Sequence, residues 1–211
     1  MVHIKKNGGL FVKKYTAESY LFSLGLVLST ATDLRINSII GVGEILLVTW
    51  VLISIVKLIM DKHTLNLKHS KWFLIFWFIS LLIMLTGWFT GLLLGYSVDA
   101  GPRDALAFLF IFILFFLFLS MPNLKERFNL LVICFLRVTM FYMLILFAAT
   151  FFTDNLFGFS LYYADRLSGL SQNPNQFALL VLPLPFMLIY LVKVNKHLSR
   201  NEILLIILCF F

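Results

Sequence analysis

The chain has 211 residues, 61% of them apolar in type and only 13% charged, with 24 phenylalanines and a net charge of +7. A soluble domain carries about a quarter charged residues, and a compact fold of this length cannot hide so much apolar surface beneath a polar shell. Lipid is therefore the expected solvent, and because backbone amides in lipid need internal partners, the long uncharged stretches are expected to be helices rather than open strands.

Apolar runs of about 20 residues mark membrane spans. In chain order they cover about 15–31, 39–60 (with Lys57 near its end), 72–94, 105–121, 128–151 and 176–192. A seventh run starts near 203 and holds nine residues to Phe211, too few to cross. The expected fold is thus all-α: a polytopic transmembrane helical bundle of six full spans plus the start of a seventh, the chain reading as truncated. Residues 1–151 form helices one to five; 152–211 hold a long connection, span six and the incomplete span seven. Lysines precede the first span and Ser29-Thr30-Ala31 resembles a weak cleavage site. Five further spans follow, so this segment is expected to stay as an anchor rather than leave as a signal peptide.

Charge placement sets the expected orientation. The N-terminal arm carries Lys5, Lys6, Lys13 and Lys14; the second connection and its flank carry Lys57, Lys62, Lys68 and Lys71. The fourth carries Lys125 and Arg127, and the sixth Lys193, Lys196 and Arg200. The alternate connections hold only Arg35, Arg103 and Arg166, while Arg137 falls inside the fifth span. Positive charge stays on the cytoplasmic side during insertion, which places the N-terminus in the cytoplasm. The net charge is then a topology signal with some attraction to anionic lipid, and nucleic acid is not an expected partner.

The outward connections carry the residues of interest. Arg35 lies beside Asp33, and Arg103 beside Asp99 and Asp104; an ion pair or an interfacial anchor is the simplest reading of each. Arg137 sits mid-span, where a charge costs several kcal/mol unless paired or wetted. Either it faces a lipid-phosphate cavity or the span boundary is misplaced, with Glu44 a weak candidate counter-charge. Gly87, Gly91 and Gly95 recur every fourth residue and suit close helix packing. Trp72, Trp77 and Trp88 read as interfacial residues. Cys134 and Cys209 lie in apolar runs and behave as small hydrophobes. The histidines, His3, His63, His69 and His197, match no metal spacing, so neither metal nor cofactor is expected.

Arg166 is followed by a short turn and then by Asn173-Pro174-Asn175 opening an apolar run. Asn173 or Asn175 can cap the free amides of a helix start, and Pro174 suits its first position. Capping alone accounts for the Asn-Pro-Asn. A helix N-terminus with an arginine nearby is also a candidate anion site.

Arg166, Gly169, Asn173-Pro174-Asn175 and Ala178 resemble the R-x-x-G-x-x-x-N-P-N-x-x-A signature of the O-antigen ligase and O-antigen polymerase family. The resemblance covers about 13 positions, together with a basic start and five preceding spans. It implies a glycosyltransferase-type protein of surface polysaccharide assembly (O-antigen, capsule or exopolysaccharide) in a bacterial cytoplasmic membrane, using no cofactor. Its substrate would be undecaprenyl-pyrophosphate-linked glycan, polymerised or ligated on the outer face, with membrane lipid and other polysaccharide-assembly proteins as partners. Arg166 would bind the pyrophosphate, with Arg103 and Arg137 as further candidates, while Gly169, Asn173, Pro174 and Asn175 shape the loop. The family's second arginine and its histidine base lie on a long outer loop that has no counterpart here. All four histidines fall on cytoplasmic segments, so the chain as written is expected to lack full activity. A transporter or permease fragment and a non-catalytic membrane scaffold are the competing readings.

Overall fold

The computed structural model describes residues 8–36, 40–60, 70–95, 101–156, 158–163 and 165–195, with side chains omitted for 8–14, 101–104 and 195. The expected start of a seventh span, Cys209 and all four histidines lie outside the described residues. The fold is predominantly helical: α1 (Gly8–Ser29), α2 (Val42–Met60), α3 (Lys71–Leu93), α4 (Gly101–Ser120), α5 (Leu124–Thr150), α6 (Pro174–Val181) and α7 (Leu184–Asn195). Among the described residues, four stretches are long and apolar enough to cross a membrane: Val42–Met60, Lys71–Leu93, Leu124–Thr150 and Pro174–Val194. Ala105–Ser120 is apolar but shorter. α1 carries Lys13, Lys14 and Glu18 and is not among the four.

The surface fits a chain solvated by lipid. No residue of α3 is buried, and Phe76, Ile83 and Leu93 expose 62%, 66% and 72% of their surface. A soluble monomer rarely shows so large a continuous apolar face. The chain is a membrane protein in that sense.

Two compact units make up the chain: Met1–Trp50 with Lys125–Phe211, and Val51–Leu124. In the second, α3 and α4 meet through aromatic rings. Trp77 lies 4.1 Å from Phe108 and 5.8 Å from Phe112 between centroids, and Phe73 stacks on Phe112. Trp77 is therefore a packing residue of this seam. A Cβ built at Gly87 or Gly95 meets nothing within 4 Å, so no neighbouring helix packs on these two glycines among the described residues.

The first unit holds a core drawn from distant parts of the chain. α1 contributes Val27, and Ala31 follows just after it; α5 contributes Val132, Phe135, Leu136, Tyr142 and Leu146; Leu180, Leu184, Leu188 and Leu191 come from α6 and α7. The α5 and α7 sets recur at three- and four-residue steps, so each helix turns one stripe inward. Tyr190 donates a hydrogen bond to Asn129 Oδ1, tying α7 to α5. Arg127, counted above among loop charges, is buried in the first turn of α5 and pairs with Glu18 of α1 at 3.2 Å.

α1 and α2 form an antiparallel hairpin whose contacts step back one helical turn at a time from the connection. Ser29 faces Gly43, Gly25 faces Leu47, and Phe22 meets Trp50 at 4.6 Å between centroids. The closest approach is backbone to backbone. A Cβ at Gly43 would lie 2.1 Å from the Ser29 amide nitrogen and 2.5 Å from the Leu28 carbonyl carbon. Gly43→Ala must push the helices apart, at about 1–3 kcal/mol or more. Gly87→Ala, in open space, should be neutral or slightly stabilising because alanine favours helix. Thermal unfolding of both variants in one detergent checks this; equal midpoints would show that the close approach contributes nothing.

The expected span at 176–192 lies within Pro174–Val194, long and apolar enough to cross, but its helix is interrupted. Pro183 and Pro185 supply no amide to the carbonyls of Leu179 and Val181, and the helix breaks between α6 and α7. The connection after α5 is not irregular either. Strand β1 (Asn155–Leu156) pairs antiparallel with β2 (Phe159–Ser160), and β3 (Tyr162–Tyr163) with β4 (Arg166–Leu167). These short ladders qualify the all-α expectation.

Candidate functional site

The site is assembled where α1 and α5 end and α6 begins. Residues Thr32–Leu34 form one turn of 3-10 helix after α1. The β1–β2 and β3–β4 hairpins follow α5 in tandem, with Gly158 (φ 85) and Asp165 (φ 62) taking left-handed backbone in their connections. Leu161, between the hairpins, is 0% exposed and inserts into the core. Its backbone is a junction as well. Its amide donates to the Asp154 carbonyl at 2.8 Å, and its carbonyl accepts from the amides of Ser168 (2.9 Å) and Gly169 (3.2 Å). The Ser168 hydroxyl adds a third bond at 3.2 Å.

Gly169 turns the chain back toward α6. Its φ of 63 lies in the left-handed region, and a Cβ there would press to 2.8 Å from Leu146 Cδ1. The left-handed backbone favours glycine at this position. The next residues are clasped to the α1–α2 connection, over 130 residues away in sequence. The Asp33 amide donates to the Leu170 carbonyl at 3.0 Å, and the Gln172 amide donates to Thr32 Oγ1 at 2.9 Å. Thr32 Oγ1 donates to Gln176 Oε1 at 3.3 Å. Ser171 Oγ lies 2.8 Å from the same oxygen and 3.0 Å from the Asn173 carbonyl, and its single proton serves one at a time.

Asn173 is the N-cap of α6, with its side chain accepting from the Asn175 amide at 2.9 Å and Pro174 entering the first turn. The Gln176 amide donates to the Asn173 carbonyl at 3.0 Å. The first amides of α6 thus have partners, and capping accounts for Asn173-Pro174-Asn175. The expected anion site at this helix start loses its open donors, and an anion role then rests on the arginine.

Arg166 stands on β4 with its side chain exposed. Among the described residues it makes no ion pair, no side-chain hydrogen bond and no contact over an aromatic ring. Arg137 is elsewhere. It lies nine residues before Leu146, the residue beneath Gly169, which is about 13 Å along the α5 axis. Its Nη1 donates to the Tyr20 hydroxyl at 3.2 Å, so the mid-span charge finds its polar contact on α1. Glu44 is not its counter-charge: Glu44 Oε2 accepts from the Gly41 amide at 3.0 Å, closing the start of its own helix. Arg103 stands in the first turn of α4, and its side chain lies outside the described residues. Arg35 is exposed and bridges backbone to Gly41. The described residues bring no three metal-ligating side chains together.

Leu161, Tyr163 and the Thr32–Gln176 clasp stand outside the residues expected from the sequence. The aromatic-rich run around Gly158 was the available signal for the hairpins; nothing local could have announced the clasp. No protein-family model, curated protein or solved structure matches this chain.

Proposed function

We propose that this chain is a multi-pass protein of a bacterial cytoplasmic membrane, with six spans and a cytoplasmic N-terminus, acting in surface polysaccharide assembly. It binds an undecaprenyl-pyrophosphate-linked glycan on the outer face, at Arg166. The alternation of lysine- and arginine-rich connections with connections that hold one arginine each supports the topology. The observation that carries the site is Arg166 itself, an arginine with no side-chain partner among the described residues, on a hairpin fastened to the core, within the spacing R-x-x-G-x-x-x-N-P-N-x-x-A.

In the proposed chemistry an acceptor hydroxyl attacks the anomeric carbon of the lipid-linked glycan. The bond from that carbon to the pyrophosphate oxygen breaks, and undecaprenyl pyrophosphate leaves with the electron pair. A guanidinium grips such a group through parallel charged hydrogen bonds and stabilises the charge that grows on it. The hydroxyl proton goes to a base to which no residue of this chain is assigned.

A transporter reading would start from the α6–α7 break, since transporters bind ions at discontinuous helices. Residues 174–192 carry no charge, and prolines account for the break, so the polysaccharide reading is preferred.

The test is complementation by the full gene in a strain lacking the glycan step, read as the surface-polysaccharide ladder at matched membrane levels. Arg166→Ala should abolish long glycan, by about a hundredfold or more if it removes one transition-state donor. Arg166→Lys should recover only part, because the two-pronged geometry is lost. Full extension by Arg166→Ala would reduce Arg166 to an interfacial anchor.

A further inference from the structure

The β3–β4 register sets Tyr163 opposite Arg166 and Tyr162 opposite Leu167. Successive strand residues face opposite ways. Leu167 packs partly buried against the core cluster and Tyr162 is 40% exposed, so the Tyr162–Leu167 face is the less exposed one. Tyr163, 60% exposed, and Arg166 share the outward face. Directly opposed residues of an antiparallel pair hold their Cβ atoms about 4.5–5.5 Å apart. Among the described residues, no ring or cation packs on the Tyr163 ring. A cationic fork and a free aromatic face therefore stand side by side.

Their support is unusual for its size. A hairpin with two residues per strand does not hold together in isolation. This one is fixed by Leu161 in the core on one side and by Ser168 and Gly169 bonding the Leu161 carbonyl on the other. The pair is presented on a fastened platform rather than on a loose loop.

We propose that Tyr163 and Arg166 form a two-part binding site for a glycosyl pyrophosphate. Arg166 holds the pyrophosphate, and the Tyr163 ring stacks on the sugar attached to it. This rests on the pyrophosphate reading of Arg166 and adds the sugar subsite. In such a ligand the first sugar ring is bonded directly to the phosphate, so the anionic and ring-shaped parts are neighbours, as the two side chains are. A sugar ring presents C–H groups on its flatter face, which an aromatic face accepts, while its rim of hydroxyls suits the tyrosine hydroxyl. Stacking of this kind recognises that a sugar is present more than which sugar it is.

The experiment uses the chain in phosphatidylcholine nanodiscs, with thermal midpoints of the variants matched to wild type. The probes are undecaprenyl pyrophosphate and undecaprenyl-pyrophosphoryl-N-acetylglucosamine, and the variants are Tyr163→Leu, Tyr163→Phe and Arg166→Ala. Wild type should bind the sugar-bearing probe about tenfold more tightly than the bare one. Tyr163→Phe should keep most of that difference. Tyr163→Leu should erase it while leaving the bare probe unchanged, and Arg166→Ala should weaken both probes. If Tyr163→Leu keeps the difference, or weakens both probes equally as an interfacial anchor would, the sugar subsite is overturned and the Arg166 reading stands. If Arg166→Ala binds both probes as wild type does, the pyrophosphate reading falls and the two-part site with it.

Discussion

Replacing Glu18 with leucine should destabilise the chain more than any surface change, by about 3–5 kcal/mol, because it strands the Arg127 guanidinium in a buried site. Glu18 and Arg127 expose only 6% and 7% of their surfaces, and Arg127 Nη2 donates to Glu18 Oε2 at 3.2 Å. The Tyr15 ring, one turn earlier on α1, lies 4.4 Å from the guanidinium carbon. One face of α1 therefore supplies a carboxylate and a π-cloud to the same cation. The two single substitutions should be unequal. Arg127→Met leaves a carboxylate that can take up a proton and remain buried as a neutral acid. Glu18→Leu leaves a guanidinium that has no neutral form to retreat to. The double variant Glu18→Leu/Arg127→Met should recover much of the loss, since a buried pair replaced by apolar groups is often neutral. A double-mutant cycle from unfolding in one detergent measures the coupling. A Glu18→Leu chain as stable as wild type would mean that Arg127 reaches lipid headgroups or water instead.

Leu161→Ala should cost about 2–5 kcal/mol, the range for emptying a leucine site in a packed core. The consequence extends past stability. Main-chain bonds from Leu161 to Asp154, Ser168 and Gly169 survive the substitution, but the side chain that seats both hairpins is gone. Limited proteolysis should then cut within 155–167 well before the rest of the chain opens. In the complementation assay Leu161→Ala should resemble Arg166→Ala although it removes no charge. Leu161→Met, which conserves volume, should cost less than about 1.5 kcal/mol and keep the loop protected. If Leu161→Ala unfolds the chain globally with no separate loop cleavage, the hairpins and the helical core are one cooperative unit rather than a platform on a scaffold.

Much of the helical content was legible before any coordinates. Uncharged apolar runs place α2, α3 and α5 within a few residues, because a long apolar segment in lipid has no other way to pair its backbone. Asn173-Pro174-Asn175 was legible for a similar reason. Capping is local chemistry, and Asn173 accepts from an amide only two residues on. Gly169 takes a left-handed φ of 63.

What only the tertiary structure decided involves partners far apart in the chain, or elements too short to show a period. Arg127 looks like any loop cation until Glu18, on another helix, is brought beside it. Thr32 and Gln176 meet across 144 residues, and no local pattern encodes such a meeting; it follows from where α1 and α6 dock in one core. The hairpins have two residues per strand, too few for an alternation to repeat, so the aromatic-rich run around Gly158 is their one local signal. They exist because Leu161 is buried between them. Composition and periodicity thus determined that this chain is helical and belongs in lipid. Packing determined which of its few charges are buried in pairs, and that Arg166 stands exposed beside Tyr163.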